Sequence, residues 1–224
     1  MAQLPLDLGF RPALGRDDFL VAPCNADAVA WIDRWPDWPS PALALWGPAG
    51  SGKSHLGEVW RARSGAVAIA AEALTTPSVP LLIGNATAAY LDDATQADEE
   101  ALLHLYNLLA ERRGKLLVIA REPPARWGIR LADLRSRLLA VPAIAVEPPD
   151  EALLGALLVK LFADRQIKVG QEVIAYMLVQ IERSFAAAQE AVEVLDRAAL
   201  AGRRAITVPL AREALGFNRR PDPD

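Results

Sequence analysis

Apolar residues along the chain fall into short solid runs, separated by longer stretches in which they recur at helical spacing. Ala42 to Trp46, Ala66 to Ala70, Thr87 to Leu91, Lys115 to Ala120 and Ala143 to Val146 read as buried strands. Between them, Ala26 to Trp35 places Ala28, Val29, Ile32 and Trp35 at spacings that share a helical face, before Pro36, Pro39 and Pro41 break the pattern. Ser54 to Arg63 predicts a second helix, stopped near Gly65. Asp98 is a suitable N-cap, and Glu99 and Glu100 suit the positive end of a helix that runs through Leu102, Leu105, Tyr106 and Leu109 to Gly114. Leu131 to Ala140 predicts a short helix. Strands alternating with helices imply a parallel sheet in a three-layer α/β fold.

At Glu147-Pro148-Pro149-Asp150 the pattern changes, and only helices follow: 150–165, roughly 171–182, 184–201 and a short one after Pro209. The expected organisation is an extended arm over 1–18, an α/β domain over 19–147, a small all-helical domain over 148–217 and a tail over 218–224. Pro5, Gly9, Pro12 and Gly15 punctuate the arm.

Composition narrows the function classes. Of 224 residues, 52% are hydrophobic and 23% charged, which excludes a disordered chain. The single cysteine, Cys24, has no partner for an internal disulfide and fits a reducing compartment. No apolar run is long enough for a membrane helix, and Met1 to Leu8 lacks the basic start and apolar stretch of a secretion signal. The expected location is the cytoplasm, with no membrane partner. A net charge of -4 disfavours a dedicated nucleic-acid binder.

Gly47-Pro48-Ala49-Gly50-Ser51-Gly52-Lys53-Ser54 fits the phosphate-loop pattern GxxxxGK[ST]. Nucleotide phosphates carry dense negative charge, and a turn of exposed backbone N–H groups can surround them. Glycines let the chain approach closely and take up positive φ. The helix that follows points its positive end at the phosphates. Lys53 adds a cation for the terminal phosphates, and Ser54 offers a hydroxyl to magnesium. The loop follows an apolar run and opens a helix, as its mechanism requires.

Tyr90-Leu91-Asp92-Asp93 ends a later strand in two carboxylates. Beside a phosphate loop they divide the work: Asp92 holds magnesium through its water shell, and Asp93 orients or activates water. Such a pair on its own also marks solvated turns. Asp133-Leu134-Arg135-Ser136-Arg137-Leu138 carries two arginines. A guanidinium donated to a neighbouring subunit's γ-phosphate stabilises transition-state charge, although most arginines at such spacing are surface ion-pair partners. His104, between Leu103 and Leu105, fits a packed or capping histidine better than a metal ligand. Trp31, Trp35 and Trp38 read as a packing cluster.

These residues resemble the AAA+ module of the bacterial replication initiator DnaA, and most of all the Hda group of short DnaA-related regulators. The matching stretches are Gly47 to His55, Tyr90 to Asp93, Leu103 to Asn107, Arg121 to Pro124, Asp133 to Leu138 and Leu195 to Leu200. Phe19 to Asn25 resembles the lead-in segment that flanks the adenine in this family, which implies roles for Leu20 and Val21. The resemblance implies a P-loop AAA+ fold with a helical lid. It implies ADP or ATP with magnesium, held by Leu20, Val21, Pro48, Ala49, Gly50, Ser51, Gly52, Lys53, Ser54 and His55. It further implies that Arg137 acts in trans on the ATP of DnaA, with a homodimer as one assembly. The chain ends soon after the lid, so the resemblance predicts no helix-turn-helix domain and no sequence-specific DNA binding.

Gln3-Leu4-Pro5-Leu6-Asp7-Leu8 resembles the peptide that docks on the sliding clamp of DNA polymerase III. In an extended chain Leu4, Leu6 and Leu8 project on one side into an apolar groove, while the Gln3 amide gives a directional hydrogen bond. Two positions depart from the family pattern. Ile119 stands where a small polar residue usually senses the γ-phosphate. Ala186 stands where the lid usually carries a sensing arginine, with Arg183 three residues earlier on roughly the same helical face as a candidate substitute. A sound phosphate loop with altered sensors predicts nucleotide binding with weak intrinsic ATPase activity. The expected function is regulatory inactivation of DnaA. The alternatives are an autonomous P-loop ATPase or kinase, signalled by fast intrinsic turnover, and a helicase-loader-type adaptor, signalled by salt-sensitive binding to single strands.

Overall fold

The computed structural model describes residues 21–216. Five strands, β1 (Ala42–Trp46), β2 (Val67–Ile69), β3 (Ala88–Leu91), β4 (Lys115–Ala120) and β5 (Ala143–Ala145), form one sheet in the order β2-β3-β4-β1-β5. All four pairings are parallel. Every connection therefore crosses over through a helix, and all five strands end on the same edge. In open sheets of this kind ligands bind outside the carboxyl ends of the strands.

Strand alternation sorts the side chains into two cores. Leu43 and Leu45 of β1, Tyr90 of β3, and Leu117 and Ile119 of β4 face one layer. There they meet α1 (Ala26–Asp33) and α2 (Lys53–Ser64) through Ala28, Val29, Ile32, Leu56 and Trp60. Ala42, Ala44, Leu91, Leu116 and Val118 face the other side. That side is covered by α3 (Val79–Ile83), α4 (Glu99–Glu111) and α5 (Ala132–Leu139). The Asp98 carboxylate caps α4 by accepting from the Ala101 N–H at 2.9 Å, as its sequence position predicts.

The sequence pattern predicts no element between Ala70 and Thr87. The structure forms a 3-10 turn at Ala71–Ala73 and then α3. Five residues are too few to display a helical period, and Pro80 in the first turn resembles a loop residue until its neighbours are known. The other element boundaries agree with the sequence reading to within about two residues.

The tryptophans expected to cluster do so around a fourth. Trp60 of α2 is fully buried. Its ring stacks on Trp38 at 5.2 Å between centroids and meets Trp35 edge-on at 6.3 Å. The Trp38 indole N–H donates to the Trp31 carbonyl at 2.7 Å. This wedge locks the loop between α1 and β1 against α2. Replacing Trp60 with alanine is expected to lower unfolding free energy by about 3–5 kcal/mol, the range for an aromatic removed from a core. A shift in the urea midpoint at unchanged slope would show it.

After β5 the chain is helical: α6 (Glu151–Asp164), α7 (Gln171–Gln180), α8 (Phe185–Gly202) and α9 (Val208–Ala214). They enclose a separate core built on Leu154, Leu158, Phe162, Met177, Val192 and Leu195. Asp150, Ser184 and Thr207 cap α6, α8 and α9 with side-chain oxygens. Among the described residues, no helix is long and apolar enough to cross a membrane.

Candidate nucleotide-binding site

Three neighbouring strands deliver the chemistry. β1 runs into the loop Gly47–Gly52, β3 into Asp92-Asp93, and β4, which lies between them, into Arg121. The loop has the backbone its glycines permit: Gly47, Gly50 and Gly52 have φ of 153°, 71° and 94°. Gly47 is pinned by donating its N–H to the Ala120 carbonyl at 3.3 Å. A Cβ on Gly47 would collide with the Val146 carbonyl, so the turn also depends on the chain leaving β5.

Lys53, the first residue of α2, is 7% exposed. Its ammonium donates to the Pro48 carbonyl at 2.6 Å and lies 3.4 Å from the Ser51 hydroxyl, spanning the inside of the bend. Burial lowers its pKa from the ordinary lysine value, Asp92 opposes that shift and Arg121 adds to it. A buried cation at the start of a helix, beside a glycine-rich turn, fits an anionic group. Ser54 is exposed on the next position of α2, followed by half-buried His55.

Asp92 is held from two directions. One carboxylate oxygen accepts from the Asp93 N–H at 2.9 Å, and the other accepts from the Tyr90 hydroxyl at 3.0 Å. Asp93 is exposed and adopts left-handed backbone, φ 46°. It borders a cleft of about 480 Å³ lined also by Thr95, Gln96, Arg121, Arg126 and Trp127. Ser54, Asp92 and Asp93 thus lie at one end of the sheet, a donor set of oxygens suited to magnesium. Among the described residues, no group of three or more His, Cys, Asp and Glu side chains forms a ready-made metal cage.

The lid reaches the loop directly. The Phe185 N–H at the start of α8 donates to the Gly50 carbonyl at 2.9 Å. A Cβ on Gly50 would collide with the Ser184 side chain, and one on Gly52 would touch the Phe185 ring at 3.4 Å. Ser184 and Phe185 carry no motif and were not singled out by sequence reasoning. Their signal is only the cap position of a predicted helix. Arg121, just past the end of β4, adds to the positive field at Lys53, a role its place in the sequence does not signal.

The remaining sequence candidates fall as follows. Ile119 is 1% exposed, paired in register with Leu45, and packs toward α2. Ala186 is exposed near the start of α8. Arg183 does not share that helical face: the helix begins after the Ser184 cap, and Arg183 lies in the preceding turn, 3.4 Å from Glu151. Cap geometry, which spacing alone does not reveal, makes the difference.

Arg137 lies on α5, its guanidinium bonded to Asp133 at 3.1 and 3.4 Å and 5.6 Å from the Tyr106 ring centre. The start of that helix is fixed by Glu99, whose carboxylate accepts from the N–H groups of Arg130 and Leu131 at 3.1 and 2.7 Å. These bonds lower the Glu99 pKa. Val21 is exposed, and the lead-in segment is tied to the end of β5 by the Glu147 N–H donating to the Cys24 carbonyl at 2.9 Å. Leu20 and the Gln3, Leu4, Leu6 and Leu8 peptide lie outside the described residues.

Known proteins share this fold. Residues 151–215 match the family model described as Hda, lid domain. Domain III of the Thermotoga maritima replication initiation protein DnaA superposes with a TM-score of 0.79 at 17% identity, covering 94% of this chain and 99% of that one. AMPPCP-bound DnaA from Aquifex aeolicus gives 0.69 at 16% identity, covering 86% of this chain and 68% of that one. A RuvB mutant from Thermotoga maritima gives 0.71 at 11% identity, covering 89% of this chain and 70% of that one. At these identities the structures establish the fold, and the lid match narrows it.

Proposed function

We propose that this chain, a DnaA-related AAA+ protein with an Hda-type lid, is a nucleotide-binding regulator that docks on the replication clamp and promotes hydrolysis of the ATP bound to DnaA. The observation that carries the reading is the lid match over 151–215, joined to a formed phosphate loop by the Phe185 to Gly50 hydrogen bond. The similar Aquifex aeolicus protein is described with bound AMPPCP, which supports a nucleotide at the corresponding loop here.

The residues that would hold ADP or ATP are the Gly47–Gly52 backbone and Lys53, with Ser54 and Asp92 on the magnesium side. Bound magnesium would neutralise phosphate charge. The chain's own contribution to hydrolysis in cis is small. Asp93 is available to orient water, but Ile119 is buried and offers no hydrogen bond, and Arg183 is paired to Glu151 before the lid helix. Weak turnover and a resident diphosphate follow. Arg137 can serve a partner because its present bonds are cheap to break: the Asp133 carboxylate is 54% exposed, and exposed pairs of this kind contribute about 0.3–0.5 kcal/mol.

A single-turnover assay tests the function as a whole. DnaA carrying labelled ATP is mixed with this protein, with and without ADP and clamp loaded on DNA. Hydrolysis should accelerate only when all components are present. Acceleration that persists without the clamp would remove the docking claim. No acceleration under any condition would overturn the reading.

A further inference from the structure

Two residues of α4 reach the segment that carries Arg137, and they do so at matched places. Glu99 and Tyr106 stand about two turns apart on one face of α4, and Arg130 and Arg137 have the same separation in sequence. At the first place the Glu99 carboxylate accepts from the Arg130 N–H at 3.1 Å and from the Leu131 N–H at 2.7 Å. At the second the Tyr106 ring, 7% exposed, has its centre 5.6 Å from the Arg137 guanidinium, within cation–π range. α4 thus holds α5 both where it begins and where the arginine leaves it.

The core alone does not supply the first of these restraints. Leu134 and Leu138, each 1% exposed, seat α5 against the sheet layer. They do not fix where the helix starts. Leu131, at its cap position, makes no side-chain cap bond, and α5 is only eight residues long. Glu99 supplies the missing anchor from another helix. The anchor matters for direction: a slip of one residue along a helix turns a side chain by about 100°. A guanidinium meets phosphate through a planar fork, so its direction counts as much as its place.

We propose that Glu99 is a positioning residue for Arg137, anchoring the chain that enters α5 and so setting the direction in which Arg137 is offered to a neighbour's γ-phosphate. The inference rests on the trans role given to Arg137 above. Glu99 acts through the backbone of Arg130 and Leu131.

The single-turnover assay, run over a range of concentrations of the full chain, tests it. Glu99→Ala should lower the maximal rate of stimulated hydrolysis by about 10–100-fold, the scale of loss when a reacting group is displaced by about 1 Å. The concentration giving half-maximal stimulation, the ADP affinity and the folded fraction at the assay temperature should hold. Glu99→Gln keeps one acceptor oxygen and should recover part of the loss. Glu100→Ala removes an equal charge from the same helix end while leaving both bonds, and should stimulate like the parent protein. An unchanged maximal rate in Glu99→Ala overturns the proposal. So does a loss that follows the folded fraction measured by circular dichroism, which would leave Glu99 a role in stability alone. A Glu99→Gln rate no better than that of Glu99→Ala, or an equal loss in Glu100→Ala, overturns it as well. No stimulation by the parent protein, or full stimulation by Arg137→Ala, overturns instead the trans reading beneath, and this inference with it.

Discussion

Replacing Arg137 with alanine is expected to abolish the proposed acceleration of ATP hydrolysis on DnaA, because an arginine supplied in trans to a γ-phosphate contributes about 10³–10⁵-fold to turnover. The fold should tolerate the change. Among the described residues Arg137 is paired with Asp133, one helical turn away on the same exposed surface, and its guanidinium lies 5.6 Å from the Tyr106 ring centre. Such contacts contribute no more than about 1.5 kcal/mol together. Unfolding should therefore move little while stimulation collapses. ADP affinity should also stay put, since the contacts of Arg137 among the described residues are with Asp133 and Tyr106 and not with the phosphate loop. Arg135→Ala, at an exposed position two residues earlier, is the matched control and should retain stimulation. If Arg137→Ala stimulates as well as the parent protein, the trans role fails. If Arg135→Ala is the inactive one, the role moves to that residue.

Lys53→Ala should weaken ADP binding by at least about 100-fold, since it deletes a cation whose several charge-assisted bonds to phosphate are worth about 1.5–3 kcal/mol each. It should do so without destabilising the free protein. Lys53 is 7% exposed, with a carbonyl and a hydroxyl as its bonded partners rather than a carboxylate. Burial lowers its pKa. A lysine whose folded pKa lies below its unfolded value favours folding fully only above the unfolded pKa, near 10.4, and that contribution is lost as pH falls through the folded pKa. At neutral pH the charged side chain is thus a cost to the empty fold. Binding has the opposite sign: ADP needs the charged form, so affinity should decline with rising pH from below the ordinary lysine range. Differential scanning calorimetry of the free variant, alongside ADP titrations from pH 7 to 10, separates the two effects. A large loss of stability in the free variant would contradict this account of the loop.

The layers of the fold were readable because each strand is a solid apolar run and each major helix has a full period. Lys115 to Ala120 could be bounded to the residue. α3 could not, since five residues carry no period and its proline imitates a turn. At the site, Gly47 to Ser54 was legible because its chemistry requires a fixed spacing. Ser184 and Phe185 were not, since their role comes from tertiary proximity across more than a hundred residues. Tyr90 is legible as a motif member, but the seat of its ring over Gly57 is not, because the two meet only when α2 packs on β3. Glu99 was read as a favourable charge at the start of a helix. Its bonds to Arg130 and Leu131 depend on where α5 begins, which no local pattern states.

The bond from the Phe185 amide to the Gly50 carbonyl makes the lid helix and the loop mechanically continuous. Linkage between two such sites is reciprocal. If the proposed diphosphate binds under Lys53 and changes the affinity of a protein for α6–α9, that protein changes the affinity for the diphosphate by the same factor. Cargo and clasp then form a single thermodynamic balance, joined at one amide of α8 and one carbonyl of the turn ahead of α2.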